Sequence, residues 1–362
     1  MKHSISVALF LLFALPGMPQ SRQPSLSVLP TEIRQPSLSA LPTEARQPSL
    51  SVLPTEVLRL RNTAAPLIPC SFSHFVIIDR RQDTGRLGIH NENVTFGKPE
   101  NVQMVLNKGV GVSADLAAWL NEHFARPGVP YTAFIVLRAL WLSDANYLRN
   151  ERINDPGILY DRTHIQLKAE IYAVRDEGTY IPILRFDSIH TYKRHNPYKS
   201  LTSYYTRWEN DLSDMLVNMI DSASELTAAK SEKGPRLHLE DILRFNRSRF
   251  DAPVTDSAPL NPGVYANFEE FRKNAPSIRT SDVRMEQKVR VLYIKDATGS
   301  FQYSHDAWGY CDGRNIYIMR DGILLPVWKE ENAFYFTNFT TSASAFLQRR
   351  IYTIDMDSGR IY

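Results

Sequence analysis

The sequence predicts an α+β protein: an antiparallel sheet packed by a long amphipathic helix, followed by a small antiparallel β-rich domain. Three observations carry this expectation. Residues 197–232 place Leu201, Tyr204, Tyr205, Trp208, Leu212, Met215, Leu216, Met219, Ile220, Ala223 and Leu226 three or four positions apart, the period of one helix face. In 164–174, Ile165, Leu167, Ala169, Ile171 and Ala173 alternate with polar neighbours, the period of a half-buried strand. Beyond Gly263, short apolar segments are separated by Asp312-Gly313 and Asp321-Gly322, both strong two-residue hairpin signals.

The first element, residues 1–20, has the layout of a secretory signal peptide. Lys2 and His3 precede the apolar run from Val7 to Leu15, and Pro16 and Gly17 end it. At that length the run is too short for a spanning helix, which needs about 20 apolar residues. Residues 21–57 contain three copies of a twelve-residue repeat, RQPSLSVLPTEI, RQPSLSALPTEA and RQPSLSVLPTEV, starting at Arg22, Arg34 and Arg46. Two prolines per copy oppose helix and central strand and favour an extended, solvated spacer. At ~3.1 Å per residue the three copies reach on the order of 100 Å; a duplication tolerated without consequence is an equally weighted reading.

Residues 58–232 are expected to form the α+β domain. Residues 71–79 read as a strand entering a buried sheet, and 102–106 as a second, shorter one. Ser113 is placed as the cap of a helix to about Phe124, with Leu116, Ala117, Leu120 and Phe124 on one face and Asp115 suited to its positive start. Arg126-Pro127-Gly128 ends that helix. Residues 131–142 are apolar and β-prone, and Asp176-Glu177-Gly178 turns the 164–174 strand into 180–189. The long helix opens at Asn196-Pro197 and stops at Gly234-Pro235. Residues 233–260 are a linker with a short helix at 239–245. Residues 261–362 form the β-rich domain, with Asn267 capping a short helix, 268–274.

The residues Pro262-Gly263-Val264-Tyr265-Ala266-Asn267-Phe268-Glu269-Glu270-Phe271, with Asn274 and Pro276-Ser277 and then Ala307-Trp308-Gly309-Tyr310-Cys311-Asp312-Gly313, resemble a module of uncharacterised secreted proteins of Bacteroidetes. The resemblance covers the last hundred or so residues and implies an exported protein of Gram-negative origin, with no activity attached. In strand and helix order alone, the first domain looks like the auxiliary lipoproteins of ABC-type lipid transporters.

Composition narrows the function classes. A net charge of +3 over 362 residues gives no general attraction to nucleic acid or anionic membrane. The basic stretches at 193–199 and 244–249 have acidic neighbours and read as solvated loops and helix ends. Cys70 and Cys311 are candidates for one disulfide, which would stabilise by about 5 kcal/mol at most; two separate buried thiols are the alternative. Asp187, His190 and His195 form the densest imidazole-bearing cluster, but Lys193 and Arg194 lie among them and oppose a cation. Gly109-Val110-Gly111-Val112-Ser113 lacks the spacing of a phosphate loop and reads as a turn with a cap. Asp79 and Asp83 sit near a strand end, and His305 and Asp306 near Cys311, without a complete catalytic arrangement. The expectation is an exported, non-catalytic protein of the periplasm, envelope or exterior with a binding or assembly role. Its partner would be an unknown envelope protein or ligand and not nucleic acid, with no cofactor or metal and no transmembrane segment in the mature chain. The alternative is a secreted or periplasmic hydrolase with scattered catalytic residues around Asp79, His190 or His305.

Overall fold

The structure is a computed structural model that describes residues 49–61, 68–92, 100–106, 111–143, 162–175, 178–193, 202–249, 251–256, 259–286, 288–341 and 347–362. Of the described residues, strands make up 44% and helices 24%, in three sheets. The expected class, an antiparallel sheet packed by one long helix with a small β-rich domain after it, is therefore corrected: the fold is β-rich throughout and its first sheet is mixed. Alternation with period two marks a strand equally well in parallel and antiparallel pairing, so the pattern at 164–174 carried no information on the sheet around it.

The first sheet has the order β1-β4-β3-β5-β6-β7, with β2 also on β5. Its strands are β1 (Thr55–Leu58), β2 (Phe72–Asp79), β3 (Gly88–Glu92), β4 (Glu100–Leu106), β5 (Tyr131–Ser143), β6 (Arg162–Val174) and β7 (Tyr180–Lys193). β1 runs parallel to β4, and both β2 and β3 run parallel to β5. β2 takes the Tyr131–Leu137 part of β5 and β3 takes Leu142 and Ser143, so two strands share one edge of β5 in succession. Gly88 fits there because a Cβ would stand 1.8 Å from the Leu142 carbonyl oxygen. The gap between them is plugged by Arg81, whose guanidinium is held by Asp79 at 2.8 Å and donates to the carbonyls of Thr84 and Arg86.

The end of the third repeat copy belongs to this fold rather than to a solvated spacer. Leu50 is fully buried beside Trp141 and Tyr335, and Pro54 immediately precedes β1, a place where a missing N–H is tolerated.

One face of the sheet is covered jointly by α1 (Val112–Phe124) and α2 (Thr202–Lys230). Leu116, Leu120 and Phe124 from α1 and Trp208, Leu212, Met215 and Met219 from α2 share a core with Ile135, Leu137, Leu167 and Ile171. α1 starts at Val112 with Gly111 as its N-cap and no side-chain cap, so Ser113 lies inside the helix. The other face carries Phe134, Val136 and Tyr172, against which α3 (Leu239–Ser248) sets Ile242.

The rest of the chain builds two antiparallel sheets. The larger has the order β16-β15-β14-β13-β12-β8, and the smaller is β11-β10-β9. They comprise β8 (Gly263–Tyr265), β9 (Ser281–Glu286), β10 (Val289–Lys295), β11 (Phe301–Tyr303), β12 (Gly309–Cys311), β13 (Ile316–Arg320), β14 (Ile323–Glu330), β15 (Ala333–Thr341) and β16 (Leu347–Ile354). Asp321 and Gly322 both have positive φ, 50° and 80°, as the tight turn from β13 to β14 requires. Short helices α4 (Pro253–Asp256) and α5 (Phe268–Arg272) place Val254 and Phe271 against the larger sheet, in a core with Ile318, Phe334 and Tyr352. The Asn267 side chain accepts from the Glu270 N–H at 3.0 Å and so caps α5. The described residues fall in one compact unit.

Candidate functional site

β7 is the terminal strand of its sheet, and the chain after α2 wraps around it. Gly234 donates its N–H to the Lys230 carbonyl at 2.7 Å, and Leu237 then pairs with Tyr180 through two backbone bonds of 2.9 and 3.0 Å. A Cβ on Gly234 would lie 2.8 Å from Ile181 Cγ2, so glycine lets the wrap press directly on the strand. Just beyond, the register slips between Ile171 and Tyr172: Leu184 pairs with Ile171, Pro182 with Tyr172, and Ile183 is the extra residue. Pro182 lacks an N–H and is suited to an edge. The freed Ile183 carbonyl accepts from Lys230 Nζ at 2.8 Å.

Wrap, bulge and helix end enclose an open groove of about 550 Å³. Its apolar lining comes from Ile171, Pro182, Ile183, Leu184, Ala229 and Pro235, and three basic side chains, Arg185, Lys230 and Lys233, also line it. Glu170 and Tyr172, both buried, supply its other polar groups. The single carboxylate is already committed: Glu170 accepts from Tyr172 Oη at 3.0 Å and Asn246 Nδ2 at 3.3 Å, and lies 3.4 Å from Arg138 Nε. Burial, followed by the neighbouring Glu170 charge, pushes the Tyr172 phenol well above its usual range, so it stays protonated as a donor. The groove therefore offers positive charge and apolar surface together.

Glu170 links this groove to a buried ionic junction behind it. The polar residues of β6, His164, Gln166, Lys168 and Glu170, share a face that sequence read as solvent-facing. His164, Gln166 and Glu170 are buried, and the ion pairs of that face reach the last residues of the chain. Arg138, the extra residue of a bulge in β5, reaches Glu170 and Asp187 at 3.4 Å and Asp357 at 3.6 Å. Arg249 also pairs with Asp357, and Lys168 with Asp355 at 3.0 Å. Burial works to raise the Asp355 carboxyl, but Lys168, Ser358 and the Asp357 N–H outweigh it and hold it below its ordinary value. Tyr335 donates to Asp83 at 2.6 Å, and Arg86 bridges Asp83 to Glu330 at 3.0 and 2.8 Å. A cavity of about 40 Å³ remains inside, lined in part by Gln82, Trp141 and Gln166, whose N–H groups have no partner among the described residues. It is large enough for ordered water.

The residues singled out from sequence are dispersed. Asp187 is an ion-pair partner of Arg138 and of Arg185 at 3.1 Å, while His190 stands farther along β7, opposite Ile165. His195 and Gly109-Val110 lie outside the described residues. Cys70 and Cys311 are both free and buried, in separate cores, and burial pushes both thiols up. Asp79 serves Arg81, and His305 contacts Asp306 at 3.3 Å. Among the described residues, no group of three or more His, Cys, Asp or Glu is placed to hold a metal. No helix among them is long and apolar enough to cross a membrane. The groove itself was missed; the signals within reach were Pro182 inside an apolar strand and the Lys230–Pro235 stop of the helix.

No family model matches the chain, and no curated protein sequence matches it. Among solved structures, protein XCC0632 from Xanthomonas campestris, described as family-model DUF330, aligns with 49% of this chain and 99% of its own at 13% identity. Its TM-score of 0.30 is too low to support a conclusion on fold or activity.

Proposed function

We propose that the protein is an exported binding protein of the cell envelope, which holds its ligand in the groove beside β7 without transforming it. The observation that carries this reading is the groove's make-up: a lining of Ile171, Pro182, Ile183, Leu184, Ala229 and Pro235 together with Arg185, Lys230 and Lys233. Concave apolar surfaces with a few placed polar groups are the usual form of small-molecule sites, and 550 Å³ lies within their usual range of about 300–1,000 Å³. The leader-like residues 1–20 support the exported location.

The test is a fluorescence titration with anilinonaphthalene sulfonate, an anionic apolar dye, on the wild-type protein and on Ala229→Trp. Ala229 is exposed on the last turn of α2, so an indole there fills the groove without entering the core. One saturable site, lost in Ala229→Trp while circular dichroism and melting temperature stay unchanged, is the expected result. Dye uptake that is absent, unsaturable or indifferent to the substitution would overturn the reading.

A further inference from the structure

Resting on that reading, we infer that the groove's ligand is a long-chain carboxylate: an unbranched apolar tail carrying one anionic head. The charges lining the groove decide the sign of the head. Of its four ionisable groups with fixed charge three are basic, and the fourth, Glu170, is neutralised by Arg138 and bonded by Tyr172 and Asn246. Of the three cations, Arg185 already has Asp187 at 3.1 Å, whereas Lys230 and Lys233 have no carboxylate partner among the described residues. Lys230 is fixed at its tip by the Ile183 carbonyl, 2.8 Å away, and keeps two of its three protons for a ligand. Lys233 lies three residues on, exposed, and lines the same groove. One or two uncommitted ammonium groups match a singly charged carboxylate better than a doubly charged phosphate monoester.

The apolar lining decides the tail. Leu184, Pro182 and Pro235 leave no side-chain hydrogen-bond donor or acceptor along their part of the groove, so a sugar or a polar peptide would lose its hydration there without replacement. A methylene chain loses nothing and gains by burial.

Calorimetric titration of the full chain with octanoate, dodecanoate, dodecanol and dodecyl phosphate tests this. Dodecanoate should bind at one site. Each methylene buried beyond octanoate should tighten binding by up to about fourfold, and dodecanol should bind about fivefold more weakly, as for a part-exposed ion pair. Lys233→Gln should reduce that head-group difference, because only Lys230 then remains uncommitted to a carboxylate, and leave the chain-length dependence, and Ala229→Trp should abolish binding. Dodecanol binding as tightly as dodecanoate, or dodecyl phosphate binding much more tightly, would overturn the assignment of the head; equal affinity for octanoate and dodecanoate would overturn the assignment of the tail. Dye binding that Ala229→Trp abolishes, with no dodecanoate binding at all, would sink this inference alone and leave the groove a site for another ligand. Loss of both would sink the binding reading as well.

Discussion

Replacing Arg138 by methionine should unfold the protein more readily by about 3 kcal/mol, and the reasoning runs through its partners. The Arg138 side chain is 4% exposed and faces Glu170, Asp187 and Asp357. At 3.4 Å and an effective dielectric of 20, one such pair is worth about 5 kcal/mol in gross attraction, most of it offset by desolvation of the two ions. Removing one partner of a buried pair leaves the other uncompensated, at a cost of roughly 3–5 kcal/mol. The lower end applies because Asp187 is 41% exposed and keeps Arg185, and Asp357 keeps Arg249. Only Glu170, 8% exposed, is stranded, and it keeps its bonds from Tyr172 and Asn246. Urea unfolding followed by tryptophan fluorescence measures the loss. Adding Glu170→Gln to Arg138→Met should recover about half of it, because the stranded charge is gone. A loss below about 1 kcal/mol, or no recovery in the double variant, would show that Arg138 is solvated and that the junction is not the buried ionic contact described.

Three further outcomes follow from the same geometry. Lys168→Met should destabilise at pH 7 by about 2 kcal/mol, and the difference should shrink as pH falls. Asp355 titrates below its ordinary 3.8 when folded, so its contribution is present above that value and is lost as pH drops through the folded pKa; denaturant melts from pH 7 to pH 2.5 show this. Gly88→Ala should cost about 3 kcal/mol or prevent folding, because its methyl group would meet the Leu142 carbonyl oxygen, a backbone atom with little room to move; a melting temperature within 2 °C of wild type would contradict the shared-edge arrangement, by the usual scale of about 2–4 °C per kcal/mol. Cys70 and Cys311 should both react with an aromatic disulfide reagent only after unfolding, without prior reduction, because they are free, buried and raised by burial.

Much of what the side chains do was legible from sequence, and the way strands meet was not. Spacing marks Trp208, Leu212, Met215 and Met219 as core positions, and all four are buried. The alternation of Ile165 to Ala173 marks one buried face of β6. It misled about the other face, since His164, Gln166 and Glu170 are buried there as well, His164 bonded to Thr191 and Glu170 to Arg138, Tyr172 and Asn246. The same face is closed by Lys168 pairing with Asp355, 187 positions away, and by Arg138 pairing with Asp357, farther still, which no local period reports. Parallel partners such as β1 and β4 were likewise unreadable, because crossover connections leave no turn signal between the paired strands. The groove depends on a bulge that makes Ile183 an extra residue and on Gly234 fitting flat against Ile181. Each is a feature of two chain segments meeting, and neither segment announces it alone.

The most direct test of a binding site beside β7 is methyl-resolved NMR of the full chain, with assigned isoleucine and leucine methyl groups, during titration with dodecanoate. The expected result is a set of saturable shift changes centred on Ile171, Ile183 and Leu184, with Leu292 and Leu324 on the far sheets unmoved. Shifts centred on the β9–β11 sheet, where Phe301 and Tyr303 are exposed, or spread evenly over the molecule would contradict it.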